Sequence, residues 1–207
     1  MREGFRSLGK GGPALGRWLL AVFLALSLGG CASVFSAQVS RYQQWPQGTE
    51  GATYWIEPDA AQRNNLQFET YADSVRAALG PTGLVEAADA AQARFVVHLE
   101  YSSPRERGWA QRPVDPYFGP GPFYRPWRWG GYYGPMVEDV IVDVYRLTLS
   151  VRIDDRSQQG HEVYRATAVA TSGRNQLGAA MPYLARALFD QFPGRNGEVI
   201  QVRYPLR

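Results

Sequence analysis

Cysteine occurs once in the 207 residues, at Cys31, and lysine once, at Lys10. Histidine occurs twice, at His98 and His161. A single cysteine excludes an internal disulfide, so any fold must stand on its core alone. The lysine shortage removes a Schiff-base amine and the lysine of a phosphate-binding loop from everything after residue 10. A long hydrophobic run is also missing. The longest, Trp18–Leu28, has eleven residues. It rises about 16 Å as a helix against a bilayer core of about 30 Å, which excludes a multi-span membrane protein. Net charge is scarce where it would matter. Arg2, Arg6, Lys10 and Arg17 against Glu3 hold the whole formal +3, and residues 31–207 carry 18 Arg and 18 acidic residues. The sequence pI of about 9.1 therefore belongs to the leader and gives no reason to expect a nucleic-acid partner.

What is present begins with an export signal. A basic, Gly-rich stretch precedes the apolar run, and small residues follow it: the order of a bacterial signal peptide. The residues Leu28-Gly29-Gly30-Cys31 resemble the lipobox of bacterial lipoproteins. That resemblance implies cleavage before Cys31, a diacylglycerol thioether on its sulfur and an acyl group on its new amine. Two or three acyl chains hold a protein on a membrane stably. In such lipoproteins an Asp after the cysteine marks inner-membrane retention; Ala32 implies the periplasmic face of the outer membrane. The competing readings are an uncleaved anchor and an ordinary secretory signal with a stray cysteine.

The expected organisation is a signal peptide over 1–30, a lipidated tether over 31–37 and one domain over 38–207. Alternation predicts a first strand over Gln38–Trp45 and a second over Thr53–Ile56. Asn64 or Asn65 is the candidate N-cap of a helix with Phe68, Tyr71/Ala72, Val75 and Ala78/Leu79 on its inner face, stopped by Gly80-Pro81. Arg94–Tyr101 alternates as a strand, with His98 and Glu100 outward. Val137–Asp154 reads as strand in two opposite phases, Val140, Val142 and Val144 against Tyr145 to Ile153, which predicts a bulge near Asp143–Val144. A turn over 155–160 leads to a partner strand, Glu162–Thr171. Pro182 suits the first turn of a second helix running to Gln191, and Val199–Tyr204 supplies a last strand. The fold class is α+β: a mostly antiparallel sheet with two helices on one face, and a long Pro/Gly/aromatic loop inserted between strands.

Several pieces in this order resemble the bacterial lipoproteins that carry the "domain of unknown function 4136". They are Tyr54-Trp55, the helix Leu66–Leu79 leading into Ala93–Tyr101, a Gly/Tyr/Trp loop, Leu147–Asp154, Val163–Ala166 and Leu188-Phe189-Asp190-Gln191-Phe192-Pro193. The resemblance covers nearly all of 34–193. It departs where Tyr164 stands, often Trp in the family, and in about fourteen residues beyond the Phe-Pro. The family carries no assigned activity.

Catalytic chemistry has few candidates. The lipobox resemblance implies that Cys31 is acylated and offers no free thiol. His98 reads as a surface residue on a strand and His161 as one beside a turn, and no His/Cys/carboxylate spacing suits zinc. No cofactor is implied, and the chain is not expected to be an enzyme. The alternative is an envelope hydrolase acting on a glycan with two carboxylates about 5–9.5 Å apart, drawn from Glu138, Asp139, Asp143, Asp154 and Asp155.

The feature above background is residues 113–135, with six Pro, five Gly and eight aromatics. Tyr124, Arg125, Trp127, Arg128, Trp129, Tyr132 and Tyr133 are the candidate binding residues, because Tyr, Trp and Arg give large, rigid contact area with a polar handle. Three readings compete: a loop folded back over the sheet or left mobile, a contact with an envelope protein or glycan, and an interfacial membrane contact. A tether of about seven residues, at most ~25 Å, keeps the domain close to its membrane.

Overall fold

The computed structural model describes residues 33–113 and 137–206. Two compact units are present. In the small terminal unit the Leu206 amide donates to the Ser33 carbonyl at 2.8 Å. The body, Phe35–Tyr204, holds the core.

In chain order the elements are β1 (Val34–Gln43), β2 (Thr53–Ile56), α1 (Leu66–Leu79), β3 (Val85–Glu86), β4 (Phe95–Ser102), β5 (Arg105–Pro113), β6 (Val137–Asp155), β7 (His161–Ser172), α2 (Leu177–Phe189) and β8 (Glu198–Pro205). The eight strands form one sheet, β3-β2-β4-β6-β7-β1-β8, with β5 pairing to β6. The short β2 pairs parallel, to β3 and β4. The β4, β5, β6, β7 and β1 ladders are antiparallel. The fold is thus α+β, with both helices packed together on one face of the sheet.

Alternation builds the core. Leu147, Leu149, Val151 and Ile153 of β6, Phe95, Val97 and Leu99 of β4, and Ala166, Ala168 and Ala170 of β7 point to the helices and are buried. The alanines of β7 leave room for α2, whose Ala180, Met181, Leu184, Ala185 and Leu188 recur at helical spacing. Asn65, not Asn64, caps α1: its side chain accepts from the Gln67 and Phe68 amides at 2.9 and 3.4 Å. Asn64 takes the left-handed conformation (φ 57°) that sets up this cap.

Four expectations need correction. β1 begins at Val34 and ends at Gln43, so strand replaces part of the expected tether, and Trp45 lies beyond it. Pro182 stands inside α2, five positions after Leu177. The apolar spacing that begins at Leu177 sets the helix start, and Pro182 costs the helix one amide donor, the one that would reach the Gly178 carbonyl. The two phases of β6 involve no bulge near Asp143–Val144; its pairing runs unbroken from Val137↔Pro113 to Tyr145↔Arg105. The one register shift in its β7 ladder lies at Ile153/Asp154, beside the turn. Finally, β5 runs as strand through Pro113, a residue assigned by sequence to the loop.

Candidate functional site

β6 is 19 residues long, and its two halves have different neighbours. Tyr145–Asp155 lies between β7 and the β4 side of the sheet. Among the described residues Val137–Val144 pairs with β5 alone. The sheet therefore continues past its own end as a two-stranded ribbon. One face of it carries the directly opposed pair Trp109 and Ile141, 74% and 60% exposed. Val137 shares that face and is also exposed. The other face carries Val140, Val142 and Val144 opposite Ala110, Gly108 and Glu106. Gly108 fits there because a Cβ would lie 3.3 Å from a Val144 methyl.

The phase change in β6 now has a cause. Within the body only one face meets helices, so only one phase is apolar. Among the described residues the ribbon has no helix layer, and its valines occupy the face opposite the body's core. Ion pairs pin its strands together: Arg105 with Asp143, and Arg112 with Glu138 at 2.5 Å. At the ribbon root Arg146 pairs with Glu106 at 2.8 Å.

At the root, the open face of the sheet forms a groove of about 470 Å³ lined by Ser36, Gln38, Val144, Arg146, Thr171 and Gln201. A second groove, about 900 Å³, runs between the helices past Ala77, Pro81, Pro182, Arg186, Phe189 and Phe192. Among the described residues no group of three or more His, Cys, Asp or Glu is placed to hold a metal ion.

Four of the five candidate acids, Glu138, Asp143, Asp154 and Asp155, lie against an arginine. Asp154 lies 3.2 Å from His98 Nε2 and 3.3 Å from Arg152. Asp155 is buried and accepts from Arg94 at 2.9 and 3.2 Å, and from the Ser157 amide and hydroxyl at 2.8 and 2.6 Å. Burial opposes its ionisation, but these hydrogen bonds outweigh burial and hold its pKa below the ordinary carboxylate value. It caps the turn Arg156–Gln158. Glu138 and Asp139 sit on opposite ribbon faces, since their partners Arg112 and Gln111 are neighbours along β5. His161 is exposed at the start of β7.

Cys31 and the binding candidates Tyr124, Arg125, Trp127, Arg128, Trp129, Tyr132 and Tyr133 lie outside the described residues. The described part fixes the ends of the segment holding those seven: Pro113 and Val137 face each other on the last rung of the ribbon.

A second polar cluster went unnoticed in the sequence. Arg41, on β1, is fully buried, and its Nη2 donates to the Ala187 carbonyl at 2.8 Å. Glu198 lies 3.6 Å from Nη1. The Tyr164 hydroxyl donates to the Leu188 carbonyl at 2.5 Å. The Asp190 amide donates to Arg186, and the Phe192 amide to Phe189. The last four carbonyls of α2, which no helix can satisfy internally, thus all have donors. A buried cation also complements the negative end of the helix. Tyr164 stacks with Phe189 (6.0 Å) and meets Phe192 (5.0 Å), which in turn meets the edge of Trp45 (4.6 Å). Burial pushes the Tyr164 phenol pKa up. The Arg-for-hydrophobe alternation in β1, Val39 then Arg41, was the available signal, and it reads equally as an outward charge.

The model of the domain of unknown function DUF4136 matches residues 38–194. The chain belongs to the DUF4136 family. The matched DUF4136 segment starts in β1 and closes at Gly194, just past Phe192. It therefore contains the whole α2 terminus together with Arg41, Tyr164 and their aromatic cover. No curated protein matches the chain significantly. Among solved structures, a PDZ-domain protein from Parabacteroides distasonis superposes with a TM-score of 0.53 at 13% identity, over 90% of this chain and 42% of its own. This DUF4136 protein thus spans less than half the length of that relative, and the likeness is one of fold. Two PelC dodecamers from Paraburkholderia phytofirmans align at TM-scores of 0.40 and 0.37 and 13% and 14% identity, over 77% and 73% of this chain and 99% and 93% of theirs.

Proposed function

We propose that the chain is a lipoprotein held through acylated Cys31 on the periplasmic face of the outer membrane, and that it works by binding rather than by turnover. Its contact element is the β5–β6 ribbon with the aromatic segment joined to it. One observation carries the reading. A ribbon paired only with itself, among the described residues, holds a large aromatic and an aliphatic side chain in the open and joins a segment with eight aromatics. Exposed apolar groups gathered on one projection mark contact surfaces. The hydrolase reading has less support, because Glu138, Asp143, Asp154 and Asp155 each face an arginine or histidine.

The test is in-cell photocrosslinking from position 127, followed by mass spectrometry. A defined adduct, whether phospholipid, glycan or one envelope protein, is expected. Diffuse capture refutes the binding role. Radiolabelled palmitate failing to incorporate, or Cys31→Ser fractionating like the parent, refutes the anchor.

A further inference from the structure

The direction in which the ribbon leaves the sheet, set against the position of the chain's amino end, names its partner. Gln38 of β1 pairs with Val169, and Val169 pairs with Thr148. Moving toward the start of β1 means moving toward the end of β7 and toward the start of β6. Ser36, Thr171, Arg146 and Val144 accordingly line one groove at the ribbon root. The amino end of β1 and the ribbon therefore leave the body at the same end of the sheet.

Their reaches agree. Five residues separate Ser36 from Cys31, at most about 17 Å of extended chain. Five residues also separate Arg146, level with Ser36, from Ile141, about 17 Å of strand. Acyl chains on Cys31 would thus place a lipid leaflet within reach of the Trp109–Ile141 pair. We infer that the Trp109–Ile141–Val137 face of the ribbon rests in the headgroup layer of the leaflet that holds Cys31, so that lipid is its direct partner. This inference rests on the anchored reading above.

The chemistry fits that depth and no deeper. Tryptophan favours the headgroup region. Arg105, Arg107, Asp139 and Asp143 flank the apolar residues on the same face and stay hydrated there. The ribbon has open edges beyond the body, and unpaired backbone groups are not tolerated in hydrocarbon. The last rung, Pro113↔Val137, lies about 13 Å beyond Ile141 at strand rise. The ribbon must therefore lie obliquely along the surface instead of standing into the membrane.

The experiment places a nitroxide at Ile141→Cys in the mature protein, where acylation leaves that thiol the single free one, with vesicles of phosphatidylethanolamine and phosphatidylglycerol. A second label at Tyr42→Cys, exposed on the opposite sheet face, is the reference. Collision with oxygen, which concentrates in lipid, is compared with collision by a water-soluble nickel chelate. The expected result is an oxygen-to-nickel ratio several-fold higher at 141 than at 42. Equal ratios overturn the proposal, as does shielding of 141 from both reagents that grows with protein concentration, which marks a second copy as the partner. Palmitate incorporation is scored in parallel. A palmitoylated protein with a water-facing 141 defeats the ribbon contact alone. A chain without palmitate whose label at 141 still prefers oxygen defeats the anchor alone.

Discussion

Replacing Tyr164 with Phe removes one oxygen and leaves every ring contact in place. The hydroxyl is the donor to the Leu188 carbonyl, in a site where Tyr164 and Leu188 are fully buried. With both residues buried, the loss is that of an unsatisfied buried acceptor, about 1–3 kcal/mol. The carbonyl belongs to the last turn of α2, where the helix supplies no donor of its own. Arg41 donates to the neighbouring Ala187 carbonyl through Nη2; its Nε and Nη1 are buried without a hydrogen-bond partner among the described residues, and neither donates to the Leu188 carbonyl. For a domain of this size each kcal/mol shifts Tm by about 2–4 °C, so a fall of about 2–12 °C is expected. Thermal unfolding measures that fall and urea unfolding followed by fluorescence the free-energy loss, with an unchanged m-value keeping the comparison within two-state terms. A loss below about 0.5 kcal/mol, the range of surface substitutions, would refute the idea that these side chains close the end of α2.

Two further predictions follow the same logic. Gly194 has φ +74°, and a Cβ there would lie 3.0 Å from Arg41 Nη1 and 3.2 Å from both Arg41 Cδ and Glu198 Oε2. Gly194→Ala should cost clearly more than the roughly 1–2 kcal/mol of a left-handed alanine, whereas Gly48→Ala, at φ +68° in open space, should cost no more than that; equal urea midpoints for the two variants contradict the crowding. The depressed pKa of Asp155 means that its contribution is complete above its unfolded value near 3.8 and disappears as pH falls through the lower folded value. Asp155→Asn should therefore be destabilised against the parent at pH 7, with the gap narrowing as pH falls below about 3.8. A gap independent of pH rules out the charge as its source.

The body was legible where one face is buried. Alternation in β4 and the carboxyl half of β6, and the 3.6-residue recurrence in α1, each record a single apolar surface. β5 escaped because nothing covers it: Arg105-Glu106-Arg107-Gly108-Trp109 shows no apolar phase, and its pairing depends on β6 alone. The same lack of cover made the valines of β6 resemble a bulge. Arg41 escaped for the opposite reason. A charge on a strand normally points to water, and only the carbonyls at the end of α2 make the inward direction favourable. The seven aromatic and arginine candidates were conspicuous by composition alone, and they lie outside the described residues.

Because β1 enters the sheet along its own axis, with β7 on one side and β8 on the other, a tug from upstream is taken lengthwise. The β7 rungs from Gln38 to Gln43 then resist together in shear, where a strand pulled sideways would peel one bond at a time. A strand set in this way takes a pull along the chain without the sheet unravelling from it.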